Sequence, residues 1–425
     1  MKNCSLFLCV LLSFFSHSAE QKLTYQDIVS VPDVVDIALS PDGNHIAYSM
    51  RLETKTHQGI LVLLHNSETG EGKQLAFSDN EKYVITNILW GNNKKIIIKA
   101  KFPASRYGTP TTETRLLTID INTGKMNSLL PRSFFKKMHY VPNILSTIVD
   151  ILPEDDDHIL LSFAGFNDGI AHAVVKAKLT DKGRTRVIQK PKKNIIDWTT
   201  DAKHNVRIGI DRDETTYTIY EKTEDGFRKL WRFEAFSKEQ VWPRGFGADN
   251  NVLYVEALYQ GKDAIYKVDL TDPKLEKELV FHHESYDVSG GLRRSKETNE
   301  FVGVGYHYWD KKYKNFIESI DNAMPDTDNL LLDKSKDGNK YVLFSSSDNE
   351  SGMYLIGDRK KKVLDIFAYK YEKLAPELLS KKEHISYQAR DDLTIEGYLT
   401  LPRGGKKEQL PTIIFPHGGP ISYDG

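Results

Sequence analysis

Beyond its first nine residues the chain has no cysteine; Cys4 and Cys9 are the two it carries. Disulfides, a cysteine nucleophile and any thiolate-held zinc or iron–sulfur site are therefore excluded from the rest of the sequence. A surplus of charge is also missing. Lys and Arg number 58 and Asp and Glu 59, a formal net charge of -1, so nothing marks nucleic acid or an anionic membrane as a general partner. Long apolar runs are scarce too. The most apolar stretch, residues 6–15, is broken by Ser13 and is too short to span a bilayer.

That stretch has a different use. Lys2 precedes it, and the small residues Ser16, Ser18 and Ala19 follow it. A basic start, a short apolar segment and small residues make a secretory signal peptide. The expectation is a leader over residues 1–19, cleavage near Ala19, and an exported chain, periplasmic or secreted, with no membrane attachment afterwards. Both cysteines leave with the leader. A large exported protein without disulfides has to rely on core burial.

What is present is alternation and repetition. "GILVLLHNSETGEGKQL" is an apolar strand, a turn at Glu68-Thr69-Gly70, and a second strand. "TRLLTIDINTGKMNSLL", "AVVKAKLTDKGRTRVI", "TYTIYEKTEDGFRKLW", "AIYKVDLTDPKLEKELV", "FVGVGYHYWDKKYKNFIES" and "MYLIGDRKKKVLDIF" repeat the plan. Further strand pairs lie before most of these hairpins. They turn at Pro41-Asp42-Gly43, at Gly91-Asn92-Asn93 and over residues 154–157. Two hairpins per period is four strands per blade, and the recurrence predicts a seven-bladed β-propeller over residues 20–367. A β-sandwich explains short strands but not the repetition, and a β-helix has shorter, stricter repeats.

Acidic groups in the turns have a local role, because Asp and Asn side chains bond their own backbone. Asp155-Asp156-Asp157 lacks the alternating donors and turn glycine of a calcium loop. His282 and His283 are neighbours in a strand-like stretch. Adjacent strand residues face opposite sides, so the two do not share one ion. No metal and no cofactor is expected.

Past Phe367 the repeat stops. Residues 368–380 read as a linker with a short helix near Pro376. Residues 381–425 contain "HISYQARDDLTIEGYLTLP", a hairpin turning at Asp391-Asp392. "LPTIIFPHGGP" follows, a buried-looking strand delivering a glycine loop. A hairpin and then such a strand is how an α/β-hydrolase domain begins. The fold expected is thus an all-β propeller followed by the truncated start of an α/β-hydrolase domain.

"ALSPDGNHIAY", "YQARDDLTIEGYLTLP" and "LPTIIFPHGGP" resemble the prolyl oligopeptidase family of serine peptidases, in particular its acylaminoacyl-peptidase and secreted dipeptidyl-peptidase branch. The order of leader, propeller and hydrolase matches as well. One departure is Asp392, where the family usually has glycine; Asp tolerates left-handed backbone at modest cost. The resemblance implies peptide hydrolysis through a serine acyl-enzyme, short peptide substrates, and a propeller that filters what reaches the site.

Acyl transfer builds negative charge on a carbonyl oxygen, and backbone N–H groups aimed at that oxygen stabilise it. Gly418 and Gly419 suit that use, since glycine lets backbone approach closely. The resemblance makes Gly419 the better donor candidate. His417 is read as support for the loop, because the triad of an α/β-hydrolase follows in the order Ser, Asp, His downstream. No G-x-S-x-G elbow occurs in the sequence; Ser289-Gly290-Gly291 is the nearest stretch and sits within the repeats. None of the triad is identified, so the 425-residue chain is expected to be inactive alone. Two alternatives stay open: a periplasmic propeller that binds a partner without catalysis, and a hydrolase that is an esterase.

Overall fold

The computed structural model describes residues 23–106, 108–180, 185–404 and 407–416. They fall into two compact units. One takes in 32–347 and 351–372, the other the residues before 32, 348–350 and those from 373 on.

The larger unit is a seven-bladed β-propeller. Six antiparallel sheets have four strands in chain order and one has three. Blade 1 begins with Val34–Leu39, blade 2 with Val84–Asn92, blade 3 with Ile148–Asp150 and blade 4 with Ile195–Thr200. Blades 5, 6 and 7 begin with Val241–Phe246, Leu292–Arg294 and Asp328–Lys334. In every blade the pairing of first and second strand shifts register. A bulge bends the strand and raises its twist, as a sheet radiating from a central axis requires.

The core is distributed between blades. Ile60 and Ala47 of blade 1 pack with Ile88, Trp90 and Ile98 of blade 2. Leu160 and Val174 of blade 3 meet Trp198 and Val206 of blade 4. Each remaining interface has its own cluster, including the one that closes the ring, where Val34, Ile37, Leu39 and Ile46 of blade 1 pack with Val342 and Tyr354 of blade 7. Such β-branched and aromatic residues suit sheets buried on both faces. Trp90 Nε1 donates to the Ala38 carbonyl of the preceding blade at 3.0 Å, and Trp198 Nε1 to the His172 carbonyl at 3.0 Å.

No strand is shared between blade 7 and blade 1. Individual hydrogen bonds and ion pairs do the closing. Asp333 accepts the Leu39 N–H, Lys336 N–H donates to the Pro41 carbonyl at 2.7 Å, and Glu68 pairs with Lys340 and Lys361.

Blade 6 departs from the expected hairpin. Phe301–Val304 pairs with the two-residue strand His307–Tyr308, and then Lys311–Ala323 is a helix where a fourth strand was expected. Asp310 caps it by accepting the Tyr313 N–H at 3.0 Å. Tyr313, Ile317 and Ile320 are buried with Leu331, Leu343 and Leu355 of blade 7. The 3.6-residue spacing of those apolar positions overrides the alternation read from "YHYW".

In the smaller unit, Pro376–Leu378 is a 3₁₀ turn whose carbonyl end receives Arg403: Nη1 donates to Pro376 and Leu379 carbonyls at 2.8 and 3.0 Å. Lys382–Gln388 and Thr394–Thr400 form the expected hairpin in register Lys382↔Thr400 to Gln388↔Thr394. Asp392 takes a left-handed φ of 62°, the conformation a glycine would otherwise supply.

Candidate functional site

His417, Gly418 and Gly419 lie outside the described residues, as does the leader. The segment that delivers the loop is described up to Pro416. Ile413, Ile414 and Phe415 are 90%, 89% and 86% exposed. Residues 411–416 form no strand, so the buried strand expected over 412–415 is not observed.

The propeller has two faces of different chemistry. On one lie the turns between first and second and between third and fourth strands, where the side chains of Asp42, Asn66, Asp120 and Asp337 accept local backbone N–H groups. On the other lie the hairpin tips between second and third strands and the links from blade to blade. Exposed apolar side chains gather on this link face: Tyr140, Ile144, Ile170, Phe236, Tyr286 and Tyr306.

The same face carries a charged cluster on blade 5. Arg244 Nη1 is 3.3 Å from Glu256, and its Nη2 donates to the Gly290 carbonyl at 2.6 Å. Asp287 accepts the Asp263 N–H at 2.8 Å. Burial pushes the Glu256 carboxyl above its usual range, partly offset by Arg244, with Asp263 and Asp287 adding to the rise. Burial and Asp287 raise Asp263 as well. Three carboxylates against one guanidinium leave negative charge uncompensated, suited to a cationic group such as a peptide ammonium. On the inner strand of blade 4, burial raises the Asp197 carboxyl too, and Asp197 accepts the Trp198 N–H at 2.8 Å.

These residues were not read from the sequence. Arg244, Glu256, Asp263 and Asp287 come from three strands and a link, and only the fold brings them together. The stretches that were singled out have structural uses. Asp155 accepts from His158 Nδ1 at 2.9 Å and from Lys176 Nζ at 2.6 Å, inside a turn. His282 packs on Tyr259 and His283 on Tyr286, in separate contacts. Ser289 lies in the link between blades 5 and 6, with no hydrogen bond from its hydroxyl to an imidazole among the described residues.

No family model matches the chain. A curated relative, dipeptidyl peptidase family member 6 of Caenorhabditis elegans, is 23% identical over 470 residues, covering 99% of this chain and 60% of that protein. The chain thus spans about three fifths of the curated relative it matches. Among solved structures, an acylaminoacyl peptidase of Pyrococcus horikoshii aligns with a TM-score of 0.51 at 14% identity, over 92% of this chain and 61% of its own. A puromycin-hydrolyzing peptidase of Mycobacterium tuberculosis gives 0.52 at 13%, over 89% and 59%. Prolyl oligopeptidase B of Galerina marginata gives 0.53 at 10%, over 88% and 56%. In sequence and in fold the chain resembles the propeller-bearing part of the prolyl oligopeptidase family.

Proposed function

We propose that this chain is the propeller and leading strands of an exported serine peptidase, which hydrolyses short peptides through a serine acyl-enzyme while the propeller governs access. The observation that carries this reading is the order of parts: a seven-bladed ring, then the 382–400 hairpin, then the run 412–416 leading into His417-Gly418-Gly419. In this reading Gly419 donates its N–H to the oxyanion, Gly418 lets the backbone approach, and His417 supports the loop. The carboxylates of blade 5 supply an attraction for a peptide's free amino group. No residue of this sequence is assigned to the serine, aspartate or histidine of the triad.

The test is hydrolysis of a peptide anilide. The 425-residue chain should match the buffer blank. A protein extended by its hydrolase portion should turn the anilide over and be blocked by a serine-directed organophosphorus reagent. In that longer protein Gly419→Pro removes one oxyanion donor, which costs on the order of 100- to 1000-fold in rate. Unchanged turnover would remove Gly419 from the site. Export has its own test: mass spectrometry of the mature amino terminus should place it at or near Glu20.

A further inference from the structure

The link of residues 282–291 joins the outermost strand of blade 5, Lys277–Phe281, to the innermost strand of blade 6. Its start is folded around one imidazole. His283 Nδ1 accepts the N–H of Ser285 at 3.1 Å and that of Tyr286 at 3.2 Å. The ring stacks on Tyr286 with centroids 4.7 Å apart and lies 5.4 Å from the ring of His307. His307 stacks in turn on Phe281 at 5.3 Å.

The rest of the link holds the charged cluster in place. Val288 is buried, and its N–H donates to the Asp263 carbonyl at 3.0 Å. Asp287 takes the Asp263 N–H, the Gly290 carbonyl takes Arg244, and the Gly291 carbonyl takes the Gly305 N–H at 3.1 Å.

An Nδ1 that accepts two amide protons belongs to a neutral imidazole with its hydrogen on Nε2. Protonation puts a second hydrogen on Nδ1. It turns the acceptor into a donor and sets it against two other donors. Facing His283 are Tyr286 from the link and His307 from blade 6; facing His307 are Phe281 from blade 5 and His283 itself. Glu284 neighbours His283 in the chain, and Tyr306 neighbours His307. Among the described residues no carboxylate is in ion-pair or hydrogen-bond contact with either ring, so no partner offsets a positive charge there.

We propose that the 282–291 link is a pH-operated strap: neutral His283 holds it closed, and protonation of His283 releases it, freeing Arg244 and Asp263 from the contacts it supplies. Burial, and next the neighbouring His283, hold the His307 imidazole below its ordinary range. The stability that neutral His307 lends the closed form is whole above the ordinary imidazole value and is lost as the pH falls below it. The strap belongs to the propeller and stands independently of the proposed peptidase activity.

Hydrogen–deuterium exchange of the whole 425-residue chain at pH 7.5 and pH 5.0 tests this, with exchange times scaled for the intrinsic rate. Peptides covering 282–291 should lose protection about tenfold or more at the lower pH, the population change that one pH unit of titration gives. Strands inside the blades should not follow. His283→Asn keeps an oxygen acceptor near Nδ1 and does not titrate, so its link should stay equally protected at both pH values. Equal protection in the unaltered chain at both pH values would overturn the proposal. So would a His283→Asn chain that opens on acidification as the unaltered chain does.

Discussion

The Asp333 carboxylate accepts the backbone N–H of Leu39 at 3.2 Å, across 294 positions of sequence and across the seam between the last blade and the first. Its other oxygen accepts Lys296 Nζ at 2.5 Å and the Lys334 N–H at 2.8 Å. Leu39 is buried, so its N–H has no water to turn to. Asp333→Ala should lower stability by about 1–3 kcal/mol, the cost of leaving a buried donor unpaired. Asp333→Asn keeps an acceptor and should cost less. Urea unfolding of the three proteins checks the order.

Phe236 is 84% exposed and has a φ of 62°. It occupies the third position of a turn in which the Ser237 N–H donates to the Glu234 carbonyl at 3.1 Å. A bulky side chain in left-handed backbone costs about 1 kcal/mol or more, and this one buries little to offset it. Phe236→Gly should leave the melting temperature unchanged or raise it. A fall of several degrees would mean that the ring makes a contact in solution that covers it.

His172 lies between blades 3 and 4, its N–H donating to the Ile195 carbonyl at 2.7 Å and its Nδ1 3.2 Å from Ser162 Oγ. Burial pushes its imidazole down to about 4. The folded state therefore favours the neutral ring more than the unfolded chain does. Its stability is whole above the ordinary imidazole value of about 6.5 and declines as the pH falls from there toward 4, by at most about 3 kcal/mol. Chemical denaturation at pH 7 and pH 4.5 should show a drop that is smaller in His172→Asn.

The helix Lys311–Ala323 gives a fourth test. Asp310→Ala removes the acceptor of the Tyr313 N–H and should cost about 1 kcal/mol. Ile317→Ala opens a hole in the cluster against blade 7 and should cost about 3 kcal/mol. Thermal melts followed by circular dichroism resolve both.

What could be read in advance follows from locality. The turn at Pro41-Asp42-Gly43 declares itself in three consecutive residues, and it stands between Val34–Leu39 and His45–Glu53. The alternation of a strand and the chemistry of a turn are both short-range signals, so the blades were legible. The helix was missed because "YHYW" alternates just ahead of it, and the eye carries that period onward past Asp310. Phe236 gave no warning, since a phenylalanine does not mark a left-handed position as glycine does. Asp333 and Leu39 could not be paired from the sequence at all, nor could Arg244 with Gly290; ring closure and cluster are products of the assembled fold.

The seam holds one more consequence. The Asp33 N–H donates to the Lys370 carbonyl at 2.8 Å, and the Glu372 N–H donates to the Asp33 carboxylate at 2.9 Å. The two places where the chain passes into and out of the propeller are therefore the same place. With every blade made of consecutive strands, the ring has no preferred starting point in its covalent order. A short peptide joining residue 372 to residue 32 would make circular permutants available, opened at any blade-to-blade link. The propeller is in this sense a cassette, able to be carried in a longer chain as an insertion at a single point.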